Sequence, residues 1–222
     1  MIRLILLAIA PVIAIAFYVY IRDKYEKEPV RLLLIALFAG IICAIPVLLI
    51  EILLGFFITN DNPSFLAFYN AFVVAGFTEE LFKFLALFIL IWKKKEFNEK
   101  FDGIVYAVFI SLGFAGIENI IYVLQHGEST GYIRALVSVP GHALFGVTMG
   151  YYFGLAKFYK EKRKAFMTRA LLYPIILHGI FDFILMLGNY RLLVGFIPYV
   201  IFLYIDGLRK MKNISERSIY RR

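Results

Sequence analysis

The chain has 222 residues, 62% of them hydrophobic and 18% charged, with a mean hydropathy of +0.80. Soluble domains run near about 45–50% apolar, so this composition excludes a soluble globular protein and leaves one membrane-embedded domain. The formal charge is +8, yet of the 24 Lys and Arg all but Arg3, Lys83, Arg134 and Arg191 fall in four short clusters between apolar runs, the distribution that orients a membrane protein and not one that binds nucleic acid.

The apolar segments predict an all-α, polytopic helical bundle of about seven spans, each near the roughly 20 residues a bilayer requires. Arg3 precedes a stretch from Leu4 to Ile21 that is long for a signal-peptide core, so residues 2–21 read as an uncleaved first span. Further spans follow over 32–58, 65–92, 103–125, 132–156, 169–188 and 191–208, the last short and carrying Pro198. The loops alternate in charge. Residues 22–31 carry Arg22, Lys24, Lys27 and Arg31; residues 93–102 carry Lys93, Lys94, Lys95 and Lys100. Six basic residues lie in 157–169 and six in the tail from Arg209, whereas 59–64, 125–131 and 189–190 have none. This alternation predicts an outside N-terminus and a cytoplasmic C-terminus in a multi-pass cell-membrane protein. Residues 1–210 then form the transmembrane domain and 211–222 a basic cytoplasmic tail. Cys43 stands alone and excludes an internal disulfide, and three histidines with one cysteine make no zinc-finger spacing.

Charges inside the spans carry the functional information. The third span holds Glu79, Glu80 and Lys83, the fourth Glu118, the fifth His142, and the sixth His178 and Asp182. Seven ionisable groups in four helices would cost on the order of 10 kcal/mol or more if unpaired, so they must face inward and meet. Counting about 1.5 Å per residue places them in one layer, from the midplane to the outer half. Glu79 and Lys83 share a helix face, and so do Phe114 and Glu118, and Pro174, His178 and Asp182. An Asp four residues from a His can accept its ring N–H and fix the tautomer.

Other polar positions have plainer readings. His142, Gly146, Gly150 and Gly154 recur every four residues, a small-residue ladder for close helix packing. Lys83 reads as a counter-ion for Glu79, and His142 as either an interhelical hydrogen-bonder or a site residue. His126 reads as a solvated loop side chain, and Glu51, near the outer end of its span, as a snorkelling one. The adjacent Glu79 and Glu80 have no such structural account.

These residues resemble the PrsW family of intramembrane proteases, relatives of the CAAX prenyl endopeptidases. The family's motifs appear as Glu79-Glu80-x-x-Lys83, Phe114-x-x-x-Glu118, a lone His142 and His178-x-x-x-Asp182, in order and in separate spans across about residues 1–210. The resemblance implies cleavage of a membrane-anchored, single-pass substrate, typically an anti-sigma factor, on its extracytoplasmic side. Against the wider CAAX pattern the chain departs. Phe84 stands where those relatives carry Arg, and Glu118 and Asp182 stand where they carry His and Asn.

Peptide hydrolysis needs a positioned water, a base, an oxyanion stabiliser and a donor to the leaving amine. Cys43, Ser111 and Ser138 lack a partnering base, so the expected nucleophile is water. Glu79 is expected as base, Glu80 or Glu118 as water holders, and His178 as the oxyanion donor, oriented by Asp182 and assisted by His142. A metal version draws on Glu80, Glu118, His142 and His178 as zinc ligands. The cofactor is therefore expected to be none or zinc. A proton-coupled transporter is the alternative class, because carboxylates and histidines in spans also form proton relays. The lipid bilayer and the substrate are the only partners implied, and the sequence names no oligomeric state.

Overall fold

The computed structural model describes residues 1–218, which are helical almost throughout and contain no strand. Nine α-helices follow one another among the described residues: α1 (Ile2–Arg22), α2 (Val30–Phe56), α3 (Pro63–Tyr69), α4 (Thr78–Ile91), α5 (Lys100–His126), α6 (Glu128–Leu136), α7 (Ser138–Phe158), α8 (Arg163–Leu187) and α9 (Tyr190–Glu216). A π-helical segment, Asn70–Phe77, joins α3 to α4, and one 3-10 turn, Lys160–Lys162, leads into α8. By length and composition five helices suffice to cross a bilayer: α1, α2, α5, α8 with its leading turn, and α9.

The two remaining expected spans take other forms. Residues 65–92 lie on the unbroken path α3–π segment–α4. The segment 132–156 divides, because Gly127 (φ +84) ends α5 and Val137, with φ −122 and ψ −63, separates α6 from α7. α6 carries Glu128, Ser129, Thr130 and Arg134 beside exposed Tyr132, Ile133 and Leu136, the composition of a helix lying at a membrane surface. α9 is longer than 191–208 and runs through Pro198. Its Met211 and Ile214 are buried, so the packed chain continues past residue 210. Residues 219–222 of the expected tail lie outside the described residues.

α5 is the axle of the bundle. Every residue from Phe101 to Ala115 is buried, and 72% of its most apolar window is enclosed against 11% for α9. A helix apolar on all sides belongs in the middle of a bundle. Close approach is what encloses it. A Cβ on Gly113 would fall 1.9 Å from the Leu37 carbonyl oxygen of α2, and one on Gly150 would fall 2.2 Å from that of Gly103. The glycine ladder of α7 thus faces α5. Gly150→Ala is expected to lower stability by about 1–3 kcal/mol, the range for overpacking. Gly195→Ala, with open space around it, is expected to be neutral or slightly stabilising. Unfolding in detergent compares the two.

At the basic-loop end, a polar network ties residues 23–29 to the start of α5. Glu99 and Asp102 form a capping box, and Asn98 Nδ2 donates to Glu26 at 2.9 Å. The Tyr106 hydroxyl donates to Glu28, and the Glu28 backbone N–H donates to Asp23 at 3.2 Å. Burial pushes the Glu28 carboxyl up to about 7 and that of Asp23 to about 6.

Candidate active site

The site begins with the π-helical segment that precedes Glu79. Its wide turns are closed at the end by Thr78, whose hydroxyl donates to the Val73 carbonyl at 3.2 Å. π-turns inside helices cluster at functional sites. The segment lies against α8 through small residues. A Cβ on Gly76 would sit 3.2 Å from both the Gly179 nitrogen and the Ile175 carbonyl oxygen. This contact carries His178, next to Gly179, up to the glutamate pair.

Four side chains from three helices converge there. Glu79 and Glu80 of α4, His142 of α7 and His178 of α8 are all buried, and each offers one ligating atom within 4.8 Å of the others. His178 Nδ1 lies 3.0 Å from Glu80 Oε1 and 3.9 Å from Glu79 Oε2, and His142 Nδ1 lies 3.8 Å from Glu79 Oε2. Phe145 stacks on the His178 ring at 4.9 Å between centroids.

A second row of carboxylates stands behind the imidazoles. His142 Nε2 is 2.9 Å from Glu118 Oε2, and His178 Nε2 is 3.3 Å from Asp182 Oδ2. Each ring therefore presents Nε2 to an outer carboxylate and Nδ1 to the glutamate pair. That is how carboxylates orient ligating histidines. Glu118 is thus outside the group of four, while Glu79 is inside it.

Lys83 sits in the centre. Its ammonium donates to Glu79 Oε2 and Glu80 Oε1, each at 2.9 Å, and lies 3.2 Å from His142 Nδ1, which uses all three of its donors. Since Nε2 faces the Glu118 carboxylate, the network assigns the His142 proton to Nε2 and leaves Nδ1 to accept. The Phe114 ring, 4.2 Å from the ammonium, closes one side.

A cavity of about 310 Å³ opens onto this cluster. Glu79, His142 and His178 line it, whereas Glu80 and Lys83 are sealed behind them with no exposure. Its other walls come from helix ends adjoining the loops at 57–62, 127, 137 and 188–189, the end of the bundle without basic loops. Sequence reasoning passed over two lining residues. Arg134 of α6 pairs with Glu118 at 2.8 Å, donates to Asn119 at 3.1 Å and covers the Tyr122 ring at 4.1 Å. A charge just inside an expected span was its only signal. Glu51 of α2 also faces the cavity. It lies on the buried stripe Ala36, Gly40, Ala44, Val47, opposite the exposed stripe Leu34, Phe38, Ile42, Ile45, Leu49, so it does not snorkel to lipid.

Residues 28–205 match the family described as PrsW family intramembrane metalloprotease. The chain belongs to the PrsW family. Curated relatives agree along nearly the whole length. Protease PrsW of Bacillus subtilis (strain 168) is 40% identical over 215 residues, covering 96% of each chain. Protease PrsW of Clostridioides difficile (strain 630) is also 40% identical, over 98% of this chain and 94% of the relative. That of Oceanobacillus iheyensis is 36% identical over 99% of both. No solved structure matches. PrsW membership makes the chain an intramembrane peptidase of a multi-pass membrane protein, and it sets aside the transporter alternative.

The PrsW description also implies a metal, and one observation fits one. Glu80 Oε2 is buried without a hydrogen-bond partner among the described residues. A metal at this point would take atoms of Glu80 and His142 that the Lys83 ammonium holds, so the ammonium would have to swing aside.

Proposed function

We propose that this peptidase is a zinc-dependent endopeptidase that cuts a single-pass membrane protein near its extracytoplasmic side, with an anti-sigma factor as the implied type of substrate. The observation that carries the reading is the convergence of two carboxylate-backed imidazoles on a buried glutamate pair at the wall of a cavity. Two imidazoles and a carboxylate are a donor set suited to zinc, with a position left open.

In this reading Glu80, His142 and His178 hold the metal. Glu80 is sealed from the cavity, and the Nδ1 atoms of both rings face inward. When bound, zinc lowers the pKa of water and polarises a carbonyl group. Glu79, the glutamate that lines the cavity, accepts the proton of the attacking water and returns it to the leaving amine. Glu118 and Asp182 accept the Nε2–H of each ring, so Nδ1 would be the atom turned to the metal. Arg134 holds Glu118 in place, so Glu118 acts through His142 and not on the water. The extracytoplasmic side follows from the cavity lying at the end without basic loops, which the positive-inside rule assigns outside.

The test is cleavage of a tagged single-pass reporter in proteoliposomes. A chelator is expected to stop cleavage and added zinc to restore it. Full activity in a metal-stripped, chelator-treated preparation would return the mechanism to glutamate-activated water alone.

A further inference from the structure

Glu51 is the acidic residue of the cavity wall that this mechanism does not use. The other carboxylates lining the cavity are engaged: Glu79 with Lys83, Glu118 with His142 and Arg134, and Asp182 with His178. Glu51 makes no hydrogen bond or ion pair with any described residue, and it faces the bundle interior. The charges that act on it from a distance are two like ones, Glu79 and Glu118, and two opposite ones, Lys83 and His178. The basic side chains at the site are committed elsewhere. Lys83 uses its three donors on Glu79, Glu80 and His142, and Arg134 serves Glu118 and Asn119. An ionisable residue within a span normally has a partner. For Glu51 none of the described residues supplies it.

We propose that Glu51 is a specificity subsite that receives a Lys or Arg side chain of the membrane substrate beside the scissile bond. The inference rests on the protease reading above. A Lys or Arg at the outer end of a single-pass segment lays its apolar stem along the helix while its charged head seeks a polar place. The cavity is such a place, with Glu51 on its wall and apolar Ala44 and Leu48 of α2 beside it for the stem. Register follows from position. Glu51 is one turn or so from the end of α2 at Phe56, about 8 Å along the axis, whereas Glu79 lies deeper, beyond α3 and the π segment. The basic residue therefore sits between the scissile bond and the point where the substrate emerges at that end of the bundle.

The experiment uses single-pass reporters that differ at one residue. Lys, Met or Glu is placed in turn at each of four positions on that side of the cleavage site, and cleavage in proteoliposomes is compared for the wild type, E51Q and E51K. At one position the wild type is expected to prefer Lys over Met by about tenfold or more, the scale of a charge-assisted bond, and to cut the Glu reporter least. E51Q is expected to bring the Lys-to-Met ratio near one, and E51K to favour Glu. Where the reporters are cleaved, a wild type without preference at any position overturns the proposal, whatever becomes of the variants. Uniform slowing of E51Q with the Lys preference intact also overturns it, since Glu51 would then serve the leaving amine. The same reporters are assayed for binding to the wild type and to E51Q by co-purification in detergent. Tighter capture of the Lys reporter by the wild type, lost in E51Q, supports the subsite even if no reporter is cleaved, an outcome that would count against the protease reading alone. Equal capture overturns the subsite.

Discussion

Glu79→Gln and Glu80→Gln are each expected to abolish detectable turnover while the protein still inserts and accumulates, and the two variants are expected to differ in metal content. Glutamine keeps the volume and one carbonyl oxygen, so Lys83 retains an acceptor at each position. The lost property is the negative charge. At position 79, on the cavity wall, that removes the base, whose contribution is about 10²–10⁴-fold. At position 80, sealed behind the cavity, it removes a ligand. Zinc per chain is therefore expected to stay near the wild-type value in E79Q and to fall sharply in E80Q. Reporter cleavage and elemental analysis of the same preparations check both points. Cleavage retained in both variants would remove the site from the reaction. Equal zinc loss in both would make Glu79 a ligand too and require a base elsewhere.

The second large effect is expected at Lys83. Its ammonium has no exposure and neutralises two carboxylates at 2.9 Å. Lys83→Met fills the same volume with an apolar chain and leaves Glu79 and Glu80 facing each other without a cation. Removing one partner of a buried ion pair costs about 3–5 kcal/mol, so the chelated variant is expected to lose stability on that scale. A divalent cation would supply the missing charge, so zinc is expected to stabilise K83M more than it stabilises the wild type. Unfolding in detergent, with chelator and then with zinc, measures both differences. If K83M in chelator is as stable as the wild type, the glutamate pair holds a shared proton in place of the lysine's charge, and the central role of Lys83 falls.

The sequence made much of this legible because a bilayer penalises buried charge. Glu79, Glu80, Lys83, Glu118, His142, His178 and Asp182 stand out within apolar runs, and helical spacing alone pairs Glu79 with Lys83 and His178 with Asp182. Less legible were Arg134 and Glu51. Both lie near expected span ends, where a charge can reach water cheaply, so position did not distinguish a cavity wall from a snorkelling side chain. The π-helical turns before Glu79 left no mark either, since Asn70–Phe77 has the composition of an ordinary apolar helix.

Composition, loop charge and the polar residues within apolar runs were enough to specify a helical membrane bundle, the loops that alternate in charge and the residues that must meet inside it. Only the tertiary structure decided how they meet: that Glu118 stands behind His142, that both Nδ1 atoms face the glutamate pair, and that Lys83 fills the space between. The reason is rotational. Periodicity tells which residues share a face of one helix, but the angle of that face to its neighbours is set by contacts between helices. Here those contacts are glycines, Gly76 against Gly179 and Gly150 against Gly103, whose missing side chains let the backbones approach closely enough for one orientation to hold.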